Sequence, residues 1–214
     1  MKVTVPSGRY TYPRMSKRDT ILKSAETLIR REGSQQLTLD RVAEKAQVSK
    51  GGLLYHFPSK EELVAGLVAR TIEYFDRDLA TARAELPESP GRNTLAFVLA
   101  SLEGRWAQDA GLSPERLDVF ASALAAASTD MKLVEPMREA YARWQALLED
   151  DGTDPITATI VRLAVDGLWF TEMFGFDDAI CTGERRAQIM TRLKEMCTAE
   201  PQSTSKRKNG RGKA

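Results

Sequence analysis

The chain has 214 residues, 42% of them hydrophobic and 29% charged, with a formal net charge of +1. Those proportions fit a globular protein with enough apolar surface for a core, as one large domain or a small domain joined to a larger one. No run of roughly 18 apolar residues occurs, so no membrane span is expected. Met1–Pro6 lacks the apolar stretch of a secretory leader.

The small net charge hides an asymmetry. Residues 1–60 carry twelve Lys/Arg against five Asp/Glu, residues 61–200 fourteen against twenty-five, and residues 201–214 five against none. A basic front on an acidic body suggests that one end meets a polyanion. Cys181 and Cys197 have no metal-ligand spacing and are read as reduced thiols of a cytoplasmic protein.

Helical periodicity runs through the chain, and the expected fold class is all-α with about nine helices. Residues 1–15, with Pro6, Gly8 and Pro13, have no pattern and are read as a flexible arm. Ser16 and Asp19 look like a cap with an acidic first turn. The stripe Ile21, Leu22, Ala25, Leu28 and Ile29 follows, and Gly33 ends that helix. Thr38 is placed to cap a short helix over about 39–46. Gln47-Val48-Ser49 makes a tight turn, and Ser49 caps a second short helix reaching about Tyr55. Pro58 stops it. Ser59-Lys60-Glu61-Glu62 is a capping box that opens a long helix through about Leu79.

Beyond Pro87 five more helices are expected, over about 92–109, 114–128, 131–150, 155–174 and 183–198. Ser113-Pro114 and Asp154-Pro155 each put a capping residue before a proline at the first helical position. Pro136 should kink or restart its helix. Residues 200–214 read as a disordered basic tail.

Two short helices joined by a three-residue turn have helix-turn-helix geometry, in which the second helix presents its N-terminal residues to the major groove. Here that helix begins Ser49-Lys50-Gly51-Gly52-Leu53-Leu54-Tyr55-His56-Phe57. Each glycine inside a helix costs about 1 kcal/mol relative to alanine. Two of them make sense if the backbone must approach DNA closely. Lys50 adds charge, while Tyr55 and His56 add hydrogen-bonding groups for phosphate. The helix start at Ser59, with Lys60 beside it, offers free N–H groups to another phosphate.

Residues 16–68 resemble the DNA-binding domain of TetR-type regulators. The resemblance is carried by Ile21-Leu22-Lys23-Ser24-Ala25, Leu28-Ile29, Glu32-Gly33, Thr38-Leu39-Asp40-Arg41-Val42-Ala43, Val48-Ser49-Lys50-Gly51, Leu53 and Phe57-Pro58-Ser59-Lys60-Glu61-Glu62-Leu63. It implies DNA contacts, mostly to the backbone, from Thr38, Lys50, Tyr55, His56 and Lys60, with Ser49, Gly51 and Gly52 at the groove. Leu54 departs from the pattern, standing where the family commonly has tyrosine. The arm residues Arg9, Arg14, Lys17 and Arg18, or Tyr55, are available to replace that phosphate contact.

The expected organisation is therefore an arm (1–15), a three-helix DNA-binding domain (16–62), a helical effector-binding and dimerisation domain (63–199) and a tail (200–214). The resemblance implies dimerisation through the last two long helices, and a two-fold dimer on a palindrome suits so small a reading head. Between Ile156 and Phe174 the only charged residues are Arg162, Asp166 and Glu172, so that helix should be buried on most faces. The last helix carries the stripe Ile189, Leu193, Met196 and Cys197.

The resemblance implies an effector, which is read as a small apolar molecule that could also be cationic. Trp106, Phe120, Trp144, Trp169, Phe170 and Met173 are candidate pocket residues, and also ordinary core residues. Asp118, Asp166 and Glu172 are candidate polar anchors, and equally surface charges. No cofactor and no catalysis are expected. The single histidine, His56, sits in the reading helix, and no Ser-His-Asp set, Walker loop or HExxH occurs. The expected function is a transcriptional repressor released from a palindromic operator by its effector. The alternative is an architectural or adaptor DNA-binding protein without an effector.

Overall fold

The computed structural model describes residues 16–102, 131–173, 176 and 183–198. Among these, the chain forms eight α-helices and no strand: α1 Lys17–Glu32, α2 Leu39–Ala46, α3 Lys50–His56, α4 Lys60–Glu85, α5 Arg92–Leu102, α6 Glu135–Glu149, α7 Pro155–Met173 and α8 Gly183–Thr198. No helix among the described residues is long and apolar enough to cross a membrane.

Local chemistry sets most of the helix ends. Ser16 Oγ accepts the Asp19 N–H at 3.0 Å while the Asp19 carboxylate accepts the Ser16 N–H at 3.3 Å, a complete capping box. Asp154 accepts from Thr157 N at 2.9 Å, and Pro155 stands first in α7. Pro136 restarts its segment: Met131–Val134 winds as a 3₁₀ turn and the α-helix begins at Glu135. Proline at the second helical position sacrifices no intrahelical hydrogen bond there. α4 runs on to Glu85, six residues past the expected end near Leu79. Ala80-Thr81-Ala82-Arg83-Ala84-Glu85 contains no helix breaker, and an exposed helical end needs no apolar stripe.

The described residues fall into two compact units, the first holding residues 16–70 and 131–134 and the second the remainder, with one boundary inside α4 between Arg70 and Thr71. In the first, Ile21, Leu22 and Ala25 of α1, Val42 of α2, Leu53 of α3 and Leu63 and Leu67 of α4 are buried. Gly66 lets the Phe57 ring close onto α4, since a Cβ there would lie 2.7 Å from Phe57 Cε1. Arg18 stacks on the same ring, 5.2 Å from its centroid. Arg70 ties α4 to α1, pairing with Glu26 at 3.2 Å and donating to the Asp19 carbonyl at 3.1 Å.

In the second unit, Phe97 of α5, Trp144 and Leu148 of α6, Val161 and Val165 of α7 and Leu193 and Cys197 of α8 are buried. Asp151, in the α6–α7 loop, is buried and caps α5 from a distance. It accepts from Asn93 N at 2.8 Å, Thr94 N at 2.7 Å and Thr94 Oγ1 at 2.7 Å. These backbone N–H groups lie in the first turn of α5, where a helix has no carbonyl of its own to offer. Gly91, at φ 81°, brings its backbone against the Cys197 carbonyl, where any Cβ would overlap. Burial, with the nearby Asp151 charge, pushes the Cys197 thiol up to about 12.

The expectation that α7 is buried on most faces holds for only one side. Ile156, Ile160, Leu163 and Phe170 are exposed by 50% or more. A helix apolar all round carries no sequence signal for which face its own unit covers. The stripe on α8 turns inward instead, with Leu193 and Cys197 buried and Ile189 and Met196 half-buried.

Candidate nucleic-acid interface

α2 and α3 are built by caps and one left-handed residue. Thr38 Oγ1 accepts from Arg41 N at 3.4 Å, and Arg41 in turn holds Gln36 at 3.0 Å and pairs with Glu32. Gln47 ends α2 at φ 54°, ψ 42°, a position more often filled by glycine. This conformation reverses the chain within three residues. Val48 N then donates to Ala43 O at 3.0 Å, and Gly52 N to Ser49 Oγ at 3.0 Å. Leu53 is fully buried and anchors α3 to the small core.

With Leu53 pointing inward, the other side of α3 faces outward. Thr38, Ser49, Lys50, Gly51, Tyr55 and Lys60 are exposed, and Gly52 and His56 are half-buried. Tyr55 is 85% exposed, its ring edge-on to His56 with centroids 5.1 Å apart. An aromatic side chain left that open contributes almost nothing to its own fold. Leu54, the departure from the family pattern, is half-buried. The two glycines differ. A Cβ at Gly52 would sit 3.2 Å from Ser49 Oγ, whereas a Cβ at Gly51 would meet nothing within 4 Å.

The structure joins the first turn of α2 to the first turn of α3. Lys50 Nζ lies 2.8 Å from Asp40 Oδ1 and 3.2 Å from Oδ2. Nothing in the sequence marks Asp40 and Lys50, ten positions apart, as a pair. Tyr55 and His56 occupy the other end of α3. Lys60 opens α4 after the Ser59 cap, which accepts from Glu62 N at 3.2 Å.

Of the candidate effector residues, Trp144 is buried among Phe75 and Tyr141, with ring centroids 4.6 and 5.4 Å away, and donates from Nε1 to Asp76 at 2.6 Å. Trp169 donates from Nε1 to Ser101 O at 3.0 Å. Phe170 is exposed beside Phe176, 6.3 Å between centroids, and Met173 closes α7. Trp106, Phe120 and Asp118 lie outside the described residues.

Near Trp144 a polar cluster surrounds Arg162, which is 5% exposed. Arg162 Nη1 donates to Tyr141 O at 2.8 Å and to Gln145 Oε1 at 2.9 Å, its guanidinium stacks on Tyr141, and Asp166 lies 3.8 Å from Nε. Burial raises the Asp166 carboxyl against the pull of Arg162. Burial, reinforced by the Asp166 charge, pushes the Tyr141 phenol up to about 12. Among the described residues no group of three His, Cys, Asp or Glu side chains is placed to hold a metal ion.

Two family patterns match the chain: that of bacterial regulatory proteins of the tetR family over residues 21–67, and that of the tetracyclin repressor-like C-terminal domain over residues 91–198. The HTH-type transcriptional repressor KstR of Rhodococcus jostii (strain RHA1) is 29% identical over 162 residues, covering 73% of this chain and 71% of its own. The fold is also that of a transcriptional regulator from Rhodococcus sp. Rha1, with a TM-score of 0.63, 20% identity, and 85% and 94% of the two chains covered. A Saccharomonospora viridis protein solved with choline aligns with a TM-score of 0.60 and 21% identity, covering 83% of this chain and 93% of that one.

Proposed function

Because the chain belongs to the TetR family of bacterial transcriptional regulators, which bind DNA and are not enzymes, we propose that it is a homodimeric repressor that grips a palindromic operator through α2 and α3 and is released by a small apolar effector. The observation that carries the DNA side of this reading is Gly51. It sits in a helix at ordinary backbone angles with open space where a Cβ would go. Nothing in the chain's own packing calls for glycine there, although alanine would favour the helix. The bare surface therefore serves something outside the chain.

Ser49, Lys50, Gly51 and Gly52 enter the major groove at the start of α3. Thr38, Tyr55, His56 and Lys60 hold phosphates around it. The twelve basic residues of positions 1–60 supply the long-range attraction.

The partner chain covers α7. Ile156, Ile160, Leu163, Gly167 and Phe170 recur at spacings of four and three, and all are exposed. That heptad-like stripe fits a second helix, and a Cβ at Gly167 would meet nothing, so the second backbone can approach closely. Each large apolar side chain buried there contributes about 1.5–3 kcal/mol, and two-fold symmetry counts each contact twice.

The effector would enter the second unit beside Trp144, Trp169 and Phe170; Trp106, Phe120 and Met173 stay candidates from the sequence alone. The fold neighbour solved with choline supports a small-molecule site without setting its chemistry. Release would follow if the effector favours a dimer whose two reading heads no longer match the operator spacing. Such a regulator acts in the cytoplasm.

The test is selection of bound duplexes from random DNA at about 50 and 200 mM salt. A palindrome is expected, with affinity falling steeply as salt rises. Binding with no enriched sequence would refute the operator reading and leave an architectural protein.

A further inference from the structure

Lys50 does not stand alone on α3. Its ammonium is held by Asp40, 2.8 Å away, so the first turns of the two helices share one ion pair. The side chains are 62% and 69% exposed, and a pair so open to water contributes little to stability. A carboxylate on a surface that meets phosphates also weakens the attraction that surface needs. Asp40 lies in the first turn of α2, where a carboxylate favours the helix start, but that role does not require it to hold Lys50.

Gly51 and Gly52 bring no side-chain donors or acceptors to the groove. The couple Asp40–Lys50 is what the first turns of α2 and α3 can offer base edges at this point. A C·G pair shows the matching couple in the major groove: guanine O6 and N7 accept, and the cytosine N4 amino group donates. O6 and N4 are themselves joined by a hydrogen bond of about 2.9 Å, nearly the ammonium–carboxylate distance here, with donor and acceptor reversed. A T·A pair presents the same order through thymine O4 and adenine N6. Thymine, however, carries a methyl group in place of the second acceptor.

We propose that Asp40 and Lys50 act together to read one C·G base pair in each half-site, Lys50 donating to guanine O6 and N7 and Asp40 accepting from cytosine N4. The role rests on the DNA reading of α2 and α3 above. Asp40 also keeps Lys50 off the phosphates until the right base is present.

The experiment is selection from random duplexes by the full-length native protein, Lys50→Ala and Asp40→Ala, with far-UV circular dichroism to establish that both variants are folded. The native protein should enrich one guanine at a fixed place in each half-site. Lys50→Ala should lose that preference, by roughly tenfold, while the rest of the site stays. Asp40→Ala should relax the same base pair and bind unrelated duplexes more tightly, its salt dependence steepening by about one counterion per reading head as Lys50 turns to phosphate. If Lys50→Ala weakens every duplex alike and leaves base preferences unchanged, Lys50 is a phosphate contact and the proposal fails. If either variant keeps the native preference at the guanine, the pair does not act as a unit and the proposal fails. If the native protein enriches no sequence at all, the operator reading fails first and the role of the pair goes with it.

Discussion

Replacing Gly51 with alanine should separate stability from DNA binding. Gly51 is the second residue of α3, and an added Cβ meets nothing within 4 Å. Glycine costs about 1 kcal/mol against alanine in a helix interior, and about half that is reasonable in the first turn of a seven-residue helix. Gly51→Ala should therefore raise the stability of the first unit by about 0.5 kcal/mol, which shifts its thermal midpoint by roughly 2–4 °C.

If α3 lies in the major groove as proposed, the same methyl group enters a filled interface on DNA. Overpacking a close contact costs about 1–3 kcal/mol. At the low end, applied to two half-sites that add independently, the loss is about 2 kcal/mol, or roughly 30-fold in affinity. Thermal unfolding of the free protein and fluorescence anisotropy on the selected operator measure the two effects. A variant that is stabilised yet binds the operator within twofold of the native protein would refute the argument, because the bare surface would then face no groove.

Three other predictions follow from single contacts. Asp151→Ala strips the acceptor from Asn93 N, Thr94 N and Thr94 Oγ1 and should cost about 3–4 kcal/mol in urea unfolding, whereas the exposed neighbour change Asp150→Asn should stay within about 0.5 kcal/mol. The Asp19 carboxyl is held below its ordinary value, chiefly by the Ser16 hydroxyl. Its contribution is thus present above about pH 4 and lost as pH falls through its lowered value. Ser16→Ala should cost about 1 kcal/mol at pH 7, and the gap to the native protein should narrow in urea unfolding at pH 3. Leu163→Lys changes a side chain that is 64% exposed, so helix content should be unchanged by circular dichroism while sedimentation reports monomer and operator affinity falls about a hundredfold; an intact dimer would mean that another face is used.

The caps at Ser16, Thr38, Ser49, Ser59 and Asp154 could be read from the chain because a cap and its partner lie three residues apart, and local spacing is what a sequence displays. The helix-turn-helix was legible for the same reason, and so were the two glycines of α3, because a helix that includes them runs against propensity. Pro136 announced a break, and the structure chose a 3₁₀ turn followed by a new helix.

Other features depend on distant residues meeting. Asp40 finds Lys50 across a left-handed residue at Gln47, Asp151 finds the start of α5 from 57 or more positions away, and Asp76 finds the Trp144 indole 68 positions on. No periodicity records such pairs, since each is made by packing elements whose mutual placement is settled by the buried faces of the helices. α7 shows this most clearly. Its residues make the helix apolar on nearly every side, whereas packing turns Ala158, Val161, Val165 and Leu168 inward and leaves Ile156, Ile160, Leu163 and Phe170 open, because one unit can cover only one face of a helix.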